Sequence, residues 1–301
     1  MKILQWNLEN FFIDLQDPHI NVSKIDESTW SNHGSSTVHK NKALFKLEEI
    51  AKIIKENDPD VCVFQEIAGK HSIENFNRLF LENQYEVHMT PSNSRRGIDI
   101  GFLVRPNTFE TKLHTNKNMN LSSKVKEKAK FCRDIPELHL TKDGKTFIIL
   151  GVHLKSKHSS DEDYFGVETR AAEVQGILKI YNRLKEKGSV LIAGDFNGFL
   201  QKDNCEYEFE SLLAEGFFDY HEKLEGKDRT SFVRLDPYSL NQIDYILIHK
   251  DLENHVDIQS GFIRYKGFYD IEIPHPQSFK EKGQLPSDHY PQMIVLKNIF
   301  K

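Results

Sequence analysis

The chain has 301 residues, of which 38% are hydrophobic and 28% charged, the balance of a soluble globular protein with a substantial core. Its 21 phenylalanines predict that much of this core is aromatic. A formal net charge of −5 removes any whole-chain argument for tight nonspecific nucleic-acid binding and leaves a local basic groove as the electrostatic route to it.

The opening sequence MKILQWNLENFF lacks the basic cluster, long apolar run and cleavage pattern of a secretion signal. No stretch approaches the roughly 18 apolar residues of a membrane span. The cysteines Cys62, Cys132 and Cys205 are far apart and form no CxxC pair, which argues against a disulfide framework or a Cys/His zinc site. These features predict a cytoplasmic protein.

In chain order, residues 2–8 read as a strand ending at Asn7, and the polar stretch 13–39 reads as a long loop. Leu44, Leu47, Ile50, Ile53 and Ile54 recur at helical spacing within 40–57, and Asp58-Pro59 stops that helix. VCVFQ at 61–65 is a short buried strand with Glu66 at its end. Residues 98–104, 146–154, 189–194 and 243–248 repeat this form, an apolar run beside a polar residue. A helix is predicted over 168–187, with Ala171, Val174, Ile177, Leu178 and Tyr181 on one face. Strands separated by helices indicate an α/β fold. Without a Pro-, Gly- or Ser-rich linker, 1–301 is expected to be one domain. Between 112 and 130, Lys112, Lys117, Lys124, Lys126, Lys128 and Lys130 accompany a single acid, Glu127. Such a run is either a solvated face or a phosphate-contacting arm.

The polar residues at the strand ends form a set: Asn7, Glu66, His153, Asp195, Asn197, Asp244, Asp288 and His289. Carboxylates and an amide oxygen are hard ligands suited to Mg²⁺, and the two histidines add acid–base capacity. No Ser, Cys or Lys nucleophile is marked by its context, so attack by an activated water is the economical chemistry. In GDFN at 194–197, Gly194 is read as allowing a turn after the strand, and Asp195 and Asn197, two apart, as pointing the same way in extended backbone. An Asx turn would explain the same two residues.

The ordered motifs WNLEN at 6–10, QE at 65–66, HLK at 153–155, GDFN at 194–197, IDYILI at 243–248 and SDH at 287–289 resemble the endonuclease/exonuclease/phosphatase superfamily, the DNase I-like fold. The resemblance spans the chain from Asn7 to His289. It implies a four-layer α/β sandwich, with two mixed β-sheets packed face to face, helices outside, and the site at one edge of both sheets. It implies Mg²⁺, with Mn²⁺ as a substitute, held by Glu66 with Asn7, and Asp288 near the metal. It implies that Asp195 orients and deprotonates the attacking water, that Asn197 and His153 contact the phosphoryl group, and that Asp244 pairs with His289, whose imidazole binds or protonates a phosphate oxygen. Arg133 in FCRDIPELHL and Lys155 in HLKSK resemble phosphate-contacting residues, and Asp99 in RGIDIGFLVR a supporting carboxylate; Arg170 reads as a structural ion-pair partner. GDFN is followed by Gly198 rather than another acid, a departure from the family pattern.

The expected activity is hydrolysis of phosphate esters, foremost as a monomeric nuclease on DNA or RNA. A phosphodiesterase or phosphatase for small molecules or lipids, of inositol phosphate or sphingomyelin type, and a non-catalytic binding member of the fold are the alternatives.

Overall fold

A computed structural model of the protein describes residues 1–15, 19–33, 40–124, 129–158, 163–223, 228–264, 267–270 and 275–301. Two six-stranded sheets dominate the described residues. The first contains β1 (Lys2–Phe11), β2 (Val61–Ile67), β3 (Glu86–Met89) and β4 (Asp99–Val104), with two strands from the C-terminal part of the chain beside them. The second contains β5 (Glu110–His114), β6 (Glu137–Lys142), β7 (Lys145–His153) and β8 (Ser189–Asp195). A small two-stranded ribbon follows, β9 (Leu200–Gln201) with β10 (Asn204–Cys205), before β11 (Phe217–Asp219) joins the second sheet. Next come a hairpin, β12 (Phe232–Leu235) with β13 (Tyr238–Asn241), then β14 (Asp244–His249) in the second sheet and β15 (Phe262–Ile263) and β16 (Gln292–Val295) in the first. The strand orders are β15-β16-β1-β2-β4-β3 and β11-β14-β8-β7-β6-β5. Both sheets are mixed, because β1 runs parallel to β2 and β7 parallel to β8 while their other neighbours are antiparallel.

Strand alternation builds the layers. Ile3, Val61, Val63 and Phe102 of the first sheet meet Leu138, Phe147, Ile149, Leu191 and Ile246 of the second in one core between the sheets. The intervening residues Leu4, Trp6, Cys62 and Phe64 pack outward on α2 (Leu44–Asn57) and α3 (Lys70–Phe80). Ile148, Leu150, Ile192 and Leu247 pack outward on α4 (Val167–Leu184) and α5 (Glu210–Glu215). The result is the expected four-layer sandwich.

The structure corrects two local readings and divides a third. The stretch 13–39 is not all loop: α1 (Glu27–Asn32) starts at Asp26, whose side chain caps Thr29 N at 2.7 Å, and its Trp30 is fully buried. Residues 16–18 and 34–39 lie outside the described residues. Gly194 is not a turn but a strand residue paired with Val152 and Tyr245. At its φ of +148° a Cβ would run into the Val152 carbonyl. Within 112–130, Lys112 belongs to β5 and pairs with Glu110, and Lys117 donates to the Pro91 carbonyl. Lys126 and Lys128 are outside the described residues.

Candidate active site

Continuing the alternation to the strand ends places the polar residues. On β1 the face between the sheets carries Ile3, Gln5 and Asn7; on β7 it carries Ile149, Gly151 and His153; on β8 Leu191, Ala193 and Asp195; on β14 Ile248, Ile246 and Asp244. Register then aligns them: Asp195 is opposite His153 on one side and Asp244 on the other. The apolar core between the sheets thus ends in a row of ionisable groups, and all of these side chains are buried.

Glu66 reaches the row by a different device. Alternation alone would turn it to the helix side, next after Gln65. The β1–β2 pairing is broken between Asn7 and Phe11, and Glu66, Glu9 and Asn10 all take left-handed backbone, with φ of 64°, 48° and 47°. Such conformations are costly for residues with a Cβ and persist where surrounding structure imposes them. Here Asn10 N donates to Glu66 Oε2 at 2.8 Å. Glu66 Oε1 receives no hydrogen bond among the described residues and lies 3.9 Å from His153 Nε2.

His289 donates from Nδ1 to Asp244 Oδ2 at 2.7 Å. Ser231 Oγ donates to the same carboxylate oxygen at 2.8 Å, and Gln5 Nε2 lies 3.4 Å from the other. Burial opposes a charge on His289, but the Asp244 and Asp288 carboxylates outweigh it and hold the imidazole well above its ordinary pKa. His153 goes the other way. Burial, with the Arg133, His289 and Arg96 cations behind it, holds its pKa well down, so this ring is neutral. Burial and then the Asp244 charge push the Asp195 carboxyl up to about 7. Asp195 Oδ1 accepts from Asn197 N at 2.8 Å, and Oδ2 accepts from Asn7 Nδ2 and Asn197 Nδ2, both at 3.1 Å. Asn197 does not continue the strand: its φ is +53°, and an Asx turn brings it back on Asp195. Turn and site are the same structure, and the two-residue extended spacing is not what joins them.

Asp195, Asp244 and His289 place ligand-capable atoms within 4.8 Å of one another. That cluster is better described as a hydrogen-bonded pair beside a carboxylic acid, because His289 Nδ1 and Asp244 Oδ2 are occupied by each other. Oxygen donors suited to a hard cation are found at Glu66 and Asn7: Glu66 Oε1, and Asn7 Oδ1, which among the described residues accepts only from Glu9 N at 3.0 Å and keeps a second lone pair. Asp288 lies 3.5 Å from Lys282 Nζ and 3.8 Å from His289 Nε2, so its charge acts on the imidazole.

Beside His153 opens a groove of about 580 Å³ lined by Arg95, Arg96, Lys130, Arg133 and Lys155 and by no carboxylate. None of the five makes an ion pair with a described residue. Arg133 donates to the Leu154 carbonyl at 3.1 Å, Lys155 Nζ to the Ser156 and His158 carbonyls, and Arg96 to Asn10 Oδ1. Buried Glu173 binds the backbone N–H of Cys132 and of Lys155, each at 2.9 Å, which fixes the two segments carrying these cations. Asp99 has a structural part in the same groove: buried at the start of β4, it accepts from Ser92 N and Oγ and ties down the 92–97 loop. Arg170 is fully buried against Glu208, at 2.7 Å, the structural ion pair expected of it.

Sequence reasoning missed Gln5 and Ser231 and gave no role to Ser287 within the SDH motif. Ser287 Oγ donates to Asn7 O at 2.6 Å and accepts from His289 N. Single serines and a buried Gln inside a strand carry no spacing signal, and only the fold brings them to the site.

Two mixed sheets packed face to face, helices outside and an acid–histidine cluster at their shared edge define a sandwich of the phosphoesterase class. The chain matches the endonuclease/exonuclease/phosphatase family over residues 2–233 and belongs to it. Similar folds include D. rerio TDP2 complexed with a single-strand DNA product, at 14% identity, TM-score 0.60 and 99% coverage of both chains. The human Nocturnin catalytic domain with bound sulfate is similar at 16% identity and TM-score 0.59, over 98% of this chain and 92% of that one. A mannosyl-6-phosphatase from Bacteroides thetaiotaomicron is similar at 15% identity and TM-score 0.59, over 98% of this chain and 99% of the other. No curated protein sequence matches the chain. Among the described residues, no helix is long and apolar enough to cross a membrane.

Proposed function

We propose that the protein is a Mg²⁺-dependent phosphodiesterase, and foremost a nuclease. The observation that carries the nucleic-acid reading is the groove beside His153, where Arg95, Arg96, Lys130, Arg133 and Lys155 face no carboxylate. A chain of net charge −5 in which five groove cations make no ion pair with a described residue is suited to a run of phosphates. The likeness to a fold seen with a single-strand DNA product is in keeping with this. With three free cysteines, a reducing, cytoplasmic setting suits the chain.

Glu66 and Asn7 would hold the cation, whose charge, when bound, offsets that of the phosphate. The protonated His289, fixed by Asp244, donates from Nε2 to a phosphoryl oxygen and stabilises charge as it builds there. Asp195, with a carboxyl near neutrality, takes the proton of the attacking water. Asn197 and Asn7 fix that carboxylate through their amides. His153, kept neutral, contacts the phosphate without adding charge. Arg133 and Lys155 meet neighbouring phosphates.

The test is cleavage of supercoiled plasmid, single-stranded DNA and RNA with Mg²⁺ or Mn²⁺, with EDTA and Asp195→Asn as controls. Cleavage of at least one polymer is expected. EDTA should abolish it, and the substitution should slow it by roughly 10²–10⁴-fold. If every polymer survives while a simple phosphodiester is hydrolysed, the nuclease reading falls and a small-molecule or lipid ester takes its place.

A further inference from the structure

A second cavity of about 710 Å³, which shares no lining residue with the basic groove, is lined by His289 and Asn197. Its chemistry is the reverse of the groove's. Phe199 and Phe232 form walls, and the cations near them are already engaged. Lys157 Nζ lies 4.0 Å from the Phe199 ring centroid and is paired with Glu206 at 2.6 Å. Lys282 Nζ lies 3.8 Å from the Phe232 centroid and donates to the Val233 carbonyl at 2.8 Å. Arg170, also on the lining, is held by Glu208. Of the lining Lys and Arg residues, Arg234 makes no ion pair with a described residue and donates to the Asp236 carbonyl at 2.9 Å, a single cation where the groove has five. Instead there are aromatic rings, Phe199 and Phe232 each with a fixed cation beside it, and the amide of Asn241.

The distance to the chemistry is one ring. The Phe232 centroid is 4.9 Å from that of His289. A group stacked on Phe232 is therefore next to a phosphate held by His289. The cavity volume exceeds what a single base and its sugar require.

We propose that this cavity binds a nucleobase, so that the substrate is a nucleotide whose scissile phosphate is flanked by a base on the Phe199 and Phe232 side and by further phosphates on the Arg133 side. The inference rests on the phosphodiesterase reading for the position of the phosphate. Base-on-aromatic stacking tolerates any base because each has a π-face, and it strengthens binding by several-fold to about a hundredfold per base. Recognition is thus of base presence on one side of the scissile bond, rather than of sequence.

Two experiments test this. In EDTA, calorimetry compares the 3′- and 5′-monophosphates of deoxyadenosine with the corresponding deoxyribose phosphates. One base-bearing form should bind at least tenfold more tightly than its sugar phosphate, and Phe199→Leu or Phe232→Leu should collapse that ratio. With wild-type protein and Mg²⁺, short oligonucleotides carrying an abasic residue on one or the other side of the cleaved bond are then compared. kcat/KM should drop at least tenfold for one side and little for the other. Equal binding with and without the base, or equal cleavage of both abasic substrates and the parent, overturns the base site while leaving the phosphodiesterase reading intact. Base-dependent binding without turnover of any nucleotide overturns the activity and leaves the base site standing.

Discussion

His289 is buried with two carboxylates around it, so its charge is held by its neighbours rather than by solvent. Asp244 supplies the bond at 2.7 Å, and the same Asp244 charge works against ionisation of Asp195. One residue therefore raises both the acid and the base of the proposed mechanism. The signs follow. The proposed mechanism needs Asp195 deprotonated and His289 protonated, which gives a bell-shaped pH profile. Asp244→Asn removes the charge that raises each, so both limbs should move toward acid, together with a fall in kcat of roughly 10²-fold or more. A pH profile of kcat/KM at saturating Mg²⁺ checks this. An unmoved profile whose only change is a higher Mg²⁺ requirement would instead make Asp244 a metal ligand. At this scale Asn7, His153, Asp195 and Asp244 were legible in the sequence because they end apolar alternating runs. Ser231, Gln5, Phe199 and Phe232 were not. Ser231 meets Asp244 through an irregular hairpin entry and Gln5 acts across the two sheets, and neither leaves a mark in local spacing.

Between elements, the second sheet is tied to α4 by one buried carboxylate. Glu137 on β6 is 1% exposed; it accepts from Asn116 Nδ2 at 2.7 Å and from Arg183 in the last turn of α4, and pairs with His139 Nε2 at 3.0 Å. Burial opposes its charge, but the bonds from His139, Arg183 and Asn116 prevail and hold its pKa down to about 2. A depressed carboxyl stabilises the fold above its unfolded pKa of about 4.5, and that stability is lost as pH falls through the folded value. Glu137→Gln should therefore be less stable than wild type at pH 7. The gap should narrow by about 2 kcal/mol between pH 7 and pH 3 in urea unfolding. A gap that does not change with pH would mean the carboxylate's charge contributes nothing. The elements absent from the sequence reading include α1, too short to show a period, and α3, whose 11 residues carry Ile73, Phe76 and Phe80 at helical spacing. Helix α1 buries only Trp30 in six residues, so no second apolar residue marks its face. The helices α2 and α4, with 14 and 18 residues, could be read directly.

For the whole molecule, the site depends on how closely the two sheets approach. Gly151 sits on the face between them, two residues before His153, and a Cβ there would lie 2.7 Å from Ile100 and 3.0 Å from Phe102 of the facing sheet. The missing side chain lets β7 and β4 pack at that distance, which sets His153 against Glu66 of the other sheet at 3.9 Å. The chain leaves the first sheet after β4, builds the second from β5 to β14, and returns to the first with β15 and β16. Its first strand, β1, pairs with its last, β16, and Met1 N donates to Leu296 O at 2.6 Å, so the first sheet closes only when both ends of the chain have met around the stretch that forms the second. The core between the sheets belongs to both, and the two layers should unfold together as the single domain that we propose. Gly151→Val forces extra volume into a closed interface, which costs about 1–3 kcal/mol. By circular dichroism and intrinsic fluorescence, the variant should show one coincident transition, shifted to lower temperature, and it should lose phosphodiesterase activity well below that transition because His153 and Glu66 are moved apart. Two separate transitions would show instead that each sheet with its helices is stable alone, and the shared core would then not be what holds the site together.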